Sequence, residues 1–129
     1  CTMRYASSYE RRLMEWCERS DDVVMFATYK HHKIRIPYVK PSTGRMTWYY
    51  PDFLIELSNN LTLLCEVKPA KLITHPPVAA KARAAVVACE ELGHRYCFVS
   101  EHTLAALESP SLSSDLIDVF ALGAYRRPA

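Results

Sequence analysis

Three ionisable residues, Asp52, Glu66 and Lys68, stand inside otherwise apolar stretches of the sequence. The turn-forming run Ser58-Asn59-Asn60 separates Asp52 from the other two and predicts a hairpin with a three-residue loop. In that register Asp52 pairs with Glu66, and opposed residues of an antiparallel pair point to one face with Cβ atoms about 4.5–5.5 Å apart. Lys68 shares this face because it lies two residues beyond Glu66. A two-residue loop would shift the pairing by one position.

Two facing carboxylates repel each other unless one is protonated or a cation bridges them. Magnesium suits this position, since one or two carboxylates, waters and phosphate oxygens commonly hold it. The backbone carbonyl of Val67 would add a further ligand. Such a metal polarises phosphoryl oxygens and lowers the pKa of a bound water, which Lys68 would orient. The alternative is a structural salt bridge between Glu66 and Lys68 at the rim of the sheet.

The composition predicts one globular domain spanning residues 1–129, with half of the residues apolar and a net charge of +2. We find no apolar run of about 18 residues and no secretory pattern, so we expect a cytoplasmic protein without a membrane span. The number of cysteines is odd and no two form a CxxC pair, which predicts reduced, buried thiols. The five are Cys1, Cys17, Cys65, Cys89 and Cys97.

Hydrophobic periodicity and turn signals predict one succession of helices and strands along the whole chain. Helices are expected at residues 7–20, 78–92, 103–108 and 114–122, and strands at 23–26, 33–38, 46–57, 61–68 and 96–99. Pro51 interrupts one of these strands, which is tolerated at an edge or a bulge. The order predicts an α/β fold in which an antiparallel meander and one parallel crossover form a central mixed sheet flanked by helices.

Two short strings carry a resemblance to a known class of nucleases. Pro51-Asp52 followed by Glu66-Val67-Lys68 matches the PD-(D/E)xK signature of restriction-endonuclease-like nucleases. The longer strings Tyr50-Pro51-Asp52-Phe53-Leu54-Ile55 and Cys65-Glu66-Val67-Lys68 most resemble the N-terminal catalytic domain of TnsA-type transposon endonucleases. Ile36-Pro37-Tyr38 together with Tyr49-Tyr50-Pro51-Asp52-Phe53 also resembles the nuclease domain of type III restriction subunits. The resemblance spans roughly residues 7–103 and implies a restriction-endonuclease-like fold and an endodeoxyribonuclease that depends on Mg²⁺ or Mn²⁺.

The resemblance also implies a role for Glu10. Many members of the class bring an acidic residue of the first helix to the metal site, and Glu10 occupies the matching position. The implied metal ligands are then Asp52, Glu66, Val67 and Glu10, with Lys68 completing the catalytic set. A competing interpretation makes Ser7 the N-cap and Glu10 the third residue of a capping box. Glu15 and Glu18 are expected to face solvent.

A basic segment precedes the acidic motif. Five lysines and arginines, and no acidic residue, lie between residues 30 and 45. We expect Lys30, Lys33 and Arg35, together with Lys81 on the alanine-rich helix, to bind DNA phosphates. The alternative for all four is an ordinary solvated surface. Trp48 and Tyr50, of the same strand parity as Asp52, are expected to pack in the core, and the alternative is that at least one of them packs near the site.

These observations support three hypotheses. The first is a metal-dependent endonuclease that cuts transposon ends with DNA and a protein partner subunit, such as a transposase. The second is the nuclease domain of a restriction or defence system, whose partner would be helicase-like. The third is a non-catalytic DNA-binding or assembly module, against which the intact Asp52, Glu66 and Lys68 argue. In either nuclease, a homodimer would allow double-strand cleavage, because one site normally cuts one strand.

Overall fold

The computed structural model describes residues 2–109, 116–121, 123 and 125, with side chains from residue 8 onward except those of residues 117 and 118. Its helices are α1 (Thr2–Arg19), α2 (Pro76–Leu92), α3 (Glu101–Glu108) and α4 (Leu116–Ala121). Its strands are β1 (Val23–Thr28), β2 (Ile36–Val39), β3 (Met46–Tyr49), β4 (Phe53–Leu57), β5 (Thr62–Val67) and β6 (Arg95–Val99). The first and last residues of the helix predicted at residues 114–122 lie outside the described residues.

The central sheet has four strands in the order β1-β4-β5-β6. The pairs β1–β4 and β4–β5 are antiparallel, whereas β5 and β6 run parallel and are joined by the crossover helix α2. Strands β2 and β3 form a separate two-stranded antiparallel sheet between β1 and β4 in the chain. We call this sheet the β2–β3 ribbon. The predicted fold class, a restriction-endonuclease-like mixed sheet flanked by helices, is confirmed.

The prediction of one strand over residues 46–57 is wrong. β3 ends at Tyr49 and β4 begins at Phe53, and the two strands belong to different sheets. Pro51 separates them because it has no N–H to donate to a ladder. Its carbonyl oxygen instead lies 2.6 Å from Nε2 of His32. The break removes the strand alternation that would have related Trp48 and Tyr50 to Asp52.

The hairpin register predicted for β4 and β5 is confirmed. Phe53 pairs with Cys65 and Ile55 with Leu63, as the three-residue loop requires. The loop is closed by the N–H of Leu57, which donates to the carbonyl of Leu61 at 2.9 Å. Asn60 adopts a left-handed backbone with φ of 67°, which asparagine tolerates better than most residues. The turn chemistry therefore places Asp52 beside the end of β5.

Two cores lie on the opposite faces of the central sheet. On one face α1, α3 and α4 pack on alternate residues of β5, including Cys65 and Val67. On the other face α2 and the β2–β3 ribbon pack on Leu64 and Phe98. Glu66 has the strand parity of Leu64, so its carboxyl group points toward the second core. A buried carboxyl group there needs compensating partners.

The predicted capping box at the start of the first helix is wrong. Helix α1 begins at Thr2, so Ser7 lies inside it and cannot be its N-cap. Residues 2–6 include no glycine or proline, so nothing in them interrupts the helix before Ser7. Glu10 therefore lies in the middle of α1, and the competing interpretation of this residue no longer applies.

The crossover helix and the cysteines match their predictions. Helix α2 ends at Gly93, whose φ of 73° is the left-handed conformation expected of a C-terminal glycine. Cys17, Cys65, Cys89 and Cys97 are buried and form no disulfide bond, while Cys1 lies outside the described residues. Among the helices that the structure describes, we find none with the length and apolar character needed to cross a membrane.

Candidate active site

Asp52 lies immediately before β4 and is held from two sides. Its carbonyl oxygen accepts a hydrogen bond from the N–H of Tyr29 at 2.9 Å. Its carboxylate Oδ2 accepts from the N–H of Val67 at 2.8 Å. These two bonds join the end of β1 to the end of β5 through Asp52. The carboxylate is therefore fixed against the backbone of β5 rather than free in a loop.

Glu66 is buried and lies against Asp52. Its Oε1 accepts a hydrogen bond of 2.7 Å from the hydroxyl of Tyr49, and that hydroxyl lies 2.9 Å from the hydroxyl of Tyr96. Burial and, after it, the negative charge of Asp52 together raise the pKa of Glu66 to about 8. Burial likewise raises the pKa of Asp52, although the Val67 N–H opposes this. The two acids therefore occupy a place that disfavours two negative charges.

Two lysines bring positive charge to these acids. Lys68 is half-buried, and its charge lowers the pKa of Asp52, Glu66 and Glu10. Lys81 reaches the same place from α2, with Nζ 5.5 Å from the ring centroid of Tyr49. Its charge lowers the pKa of Asp52 and of Glu66. The end of β5 and helix α2 thus each place one lysine close to the acidic pair.

Glu10 approaches the same site from α1. It is half-buried, and its pKa is raised first by burial and then by the negative charge of Asp52. Both residues line an open cleft of about 490 Å³. The other lining residues are Met14, Phe26, Ala27, Thr28, Tyr29, Lys30, His31 and Phe53. Glu15 and Glu18 are exposed, as predicted.

The sequence around this site is similar to a known family of proteins. The family of the TnsA-like endonuclease N-terminal domain matches residues 20–101, more than half of the chain. The chain belongs to this family. No curated protein and no solved structure shows significant similarity to the chain. The match covers Asp52, Glu66 and Lys68, so the resemblance read from the sequence to the TnsA-like domain is confirmed. Glu10 precedes the matched residues, so its assignment to the site depends on the geometry alone.

The donor atoms of this TnsA-like site suit a hard divalent cation. Within the described part of the chain, no three His, Cys, Asp or Glu side chains are grouped as metal ligands. Magnesium, however, needs only one or two carboxylates, and Asp52 and Glu66 supply them. The Val67 N–H points at Asp52, and the carbonyl of the same residue points to the same edge of the strand. A cation there would favour the ionised carboxylates that burial disfavours.

The four residues predicted to bind nucleic acid fall into two groups. Lys30, Lys33 and Arg35 are exposed along the segment that leads into the β2–β3 ribbon. Lys30 also lines the cleft. Lys81 is half-buried beside the acidic pair. The structure therefore places Lys30 and Lys81 at the site, and the other two beside the ribbon.

The predicted core role of Trp48 and Tyr50 is wrong. Trp48 is 42 % exposed and Tyr50 is 47 % exposed, whereas Tyr49 between them is 3 % exposed. The strand break at Pro51 causes the error, because parity counted from Asp52 does not continue into β3. Of these three aromatic residues, Tyr49 is the one that reaches the site.

Sequence reasoning missed two residues that position the acids. Tyr49 holds Glu66, and His32 holds the backbone beside Asp52. Nδ1 of His32 accepts a hydrogen bond from the N–H of Ile34 at 3.2 Å, so Nε2 carries the ring proton and donates a hydrogen bond to the carbonyl oxygen of Pro51. Ile36 and Tyr38 alternate as large apolar residues on the inner face of the ribbon, and Tyr49 lies opposite Ile36 on that face. This apolar pattern was a usable signal for Tyr49. The sequence held no comparable signal for His32.

Proposed function

We propose that this TnsA-like domain is a divalent-metal-dependent endodeoxyribonuclease that hydrolyses phosphodiester bonds of DNA, in the setting of transposon-end cleavage. The observation that carries the proposal is the contact between the half-buried carboxyl group of Asp52 and the buried carboxyl group of Glu66, with Lys68 close enough to lower the pKa of both. A carboxyl pair of this kind is costly to the fold. The chain belongs to an endonuclease family, and a metal site for DNA cleavage would explain why the fold keeps this destabilising pair.

The metal ligands in this proposal are Asp52, Glu66 and the carbonyl of Val67, with Glu10 contributing from α1 directly or through water. Mg²⁺ or Mn²⁺ held there would polarise the phosphoryl oxygens and lower the pKa of a bound water. Hydrogen bonds from Val67 to Asp52 and from Tyr49 to Glu66 orient the two carboxylates. Such outer contacts fix ligand geometry before substrate arrives.

The chain's own cations carry the remaining roles. Lys68 orients the attacking water and offsets the negative charge that develops on phosphorus. Lys81, which reaches the acidic pair from α2, binds a phosphate of the same DNA strand. Lys30 at the cleft, with Lys33 and Arg35 farther along the chain, binds the flanking phosphates.

The partners follow from the same features. A net charge of +2 gives the domain little general attraction for DNA. A protein partner such as a transposase subunit would therefore deliver the target site. One site of this type cuts one strand, so double-strand cleavage would require a homodimer or a second nuclease.

The direct test is cleavage of supercoiled plasmid by the purified wild-type protein. Nicked circles should appear with Mg²⁺ or Mn²⁺ and be absent with EDTA. Ca²⁺, which binds the same oxygen ligands with looser geometry, should support much less cleavage. Metal-dependent DNA binding without any cleavage, on plasmid or on oligonucleotides, would instead identify a non-catalytic assembly module.

Glu10→Gln is expected to lower the cleavage rate about tenfold or more, because a residue that supports a metal site typically contributes 10–100-fold. The substitution keeps the shape of the side chain and removes its charge. Glu15→Gln, on the exposed face of the same helix, is the matched control and should cleave at the wild-type rate. Equal rates for Glu10→Gln and the control would remove Glu10 from the site.

Tyr49→Phe is expected to weaken Mn²⁺ binding about tenfold, as judged by the metal concentration that gives half-maximal cleavage. The loss of the hydroxyl leaves Glu66 free to rotate away from Asp52. Tyr96→Phe is the matched control, since it removes a neighbouring hydroxyl but keeps the hydrogen bond from Tyr49 to Glu66. A similar effect of both substitutions would assign Tyr49 to packing rather than to positioning.

A further inference from the structure

A cation–aromatic surface lies at the end of the β2–β3 ribbon nearest the site. The guanidinium carbon of Arg35 lies 4.0 Å from the ring centroid of Trp48. Tyr50 is exposed with the same parity as Trp48, and Lys33 is exposed on the chain leading to Arg35. We call Lys33, Arg35, Trp48 and Tyr50 the basic-aromatic platform.

The platform adjoins the acidic pair through one residue. Tyr49 lies between Trp48 and Tyr50 in the chain, and its side chain points inward to Glu66. Because neighbouring residues of an extended chain point to opposite faces, the platform occupies the outer face of the ribbon at the level of the site. Asp52 follows Tyr50 by two residues. The platform therefore lies next to Asp52 along the chain.

The charge of this part of the chain favours a polyanion. Between residues 23 and 51 the sequence contains five lysines and arginines and no aspartate or glutamate. Surfaces that bind single-stranded nucleic acid combine such cations, which follow the phosphate backbone, with exposed aromatic rings, on which the bases stack. The Arg35 guanidinium already lies over the indole, so a flat cationic surface is formed before any ligand binds.

We propose that the basic-aromatic platform binds an unpaired stretch of DNA next to the bond that is cut. In duplex DNA the bases stack on each other and offer no free face to an aromatic ring. An unpaired base can stack on the open side of Trp48, on Tyr50 or on the guanidinium plane of Arg35. The platform thus selects DNA that is locally opened, whereas a flat basic surface would bind duplex equally well. The inference rests on the proposed function, because the strand it holds is the strand that is cut.

Trp48 itself reports on this binding. The chain has two tryptophans, and Trp16 is buried against Phe120 in the first core. Oligo-dT of about 12 nucleotides, a length within single-strand site sizes, should quench the fluorescence of Trp48. The titration is made in EDTA, so that it needs neither metal nor cleavage. A duplex of the same length should cause little quenching. Trp48→Phe provides the baseline from Trp16.

Variants measure the contribution of each group by anisotropy of a labelled oligo-dT. Trp48→Ala should weaken binding at least about fivefold, the effect of losing one stacked base. Arg35→Gln should weaken binding and reduce the salt dependence by about 0.7 in logarithmic slope, the value for one phosphate contact of a single strand. Arg83→Gln removes an exposed cation of α2 and should bind as the wild type does. Trp48 and Arg35 are exposed, so these variants should fold.

Three results would overturn the inference: equal quenching by duplex and single strand, wild-type binding by Trp48→Ala, or no quenching by any DNA. The last result would assign the platform to a protein partner. Cleavage of plasmid in Mg²⁺ with no quenching would refute the platform alone. Quenching without cleavage under any metal would refute the nuclease and leave the platform as a single-strand binding surface.

Discussion

Lys68→Ala is expected to reduce DNA cleavage by about 100-fold or more while DNA binding and metal binding persist. The size follows from the loss of one group that stabilises charge in the transition state, which typically costs 10²–10³ in rate. Lys68 is half-buried, and its charge acts on Asp52, Glu66 and Glu10 together. The measurement is the rate of plasmid nicking at saturating Mn²⁺, beside the dissociation constant for DNA in Ca²⁺.

Two further variants give this prediction its controls. Lys71→Ala removes an exposed lysine three residues along the chain and should cleave like the wild type. Asp52→Ala should abolish cleavage and metal-dependent stabilisation together, because it removes a proposed ligand rather than a charge beside it. If Lys68→Ala cleaved at the rate of Lys71→Ala, the lysine would be structural and the salt-bridge interpretation of Glu66 and Lys68 would stand.

The part of the site that could be predicted is the part that depends on local chemistry. Ser58-Asn59-Asn60 fixes the loop length, and loop length fixes the register of the two strands beside it. The juxtaposition of Asp52 and Glu66 followed from those few residues. The twofold alternation of the strand then placed Lys68, two residues beyond Glu66, on the same face as Glu66. None of these steps needed information from distant parts of the chain.

The parts that could not be predicted depend on contacts between distant elements. Tyr49 reaches Glu66 only because the β2–β3 ribbon folds over the second face of the sheet. His32 reaches the carbonyl of Pro51 only because the chain after β1 turns back across the start of β4. In each case the residue is visible in the sequence, but the packing of the element that brings it to the site could not be predicted. Pro51 marked the interruption in the strand, but not that the chain changes sheets there.

Glu10 shows a different limit. A serine followed three residues later by a glutamate satisfies the local rule for a capping box, yet the helix continues for five residues before Ser7. Local chemistry permits a helix start at this point, and the extension of α1 to Thr2 overrides it. The resemblance to a nuclease family pointed to the cleft instead, where the structure places Glu10 beside Asp52.

Asp52 and Glu66 also make the free energy of unfolding depend on pH, with lower stability at higher pH. In the folded, metal-free protein the pKa of Glu66 is raised to about 8, first by burial and then by the charge of Asp52. The unfolded chain releases this proton near the ordinary value of 4.5. Between these two values the folded state holds more protons than the unfolded state. Its free energy of unfolding therefore falls as pH rises through this range, and the loss is complete above the folded-state pKa.

Glu66→Gln is expected to remove most of that loss. The amide oxygen can still accept the hydrogen bond from Tyr49, while no charge forms beside Asp52. In EDTA, between about pH 5 and pH 8, wild type should lose at least about 2 kcal/mol more stability than the variant, because each unit of pKa shift corresponds to about 1.4 kcal/mol. Urea unfolding at several pH values measures this, with the exposed Glu15→Gln as a control that follows wild type.

Added Mg²⁺ should restore wild-type stability near pH 8 by binding the ionised pair, and should leave Glu66→Gln nearly unchanged. Parallel pH profiles for wild type and Glu66→Gln would show that the two carboxyl groups are not in repulsive contact. The charge argument for a cation at Asp52 and Glu66 would then fail.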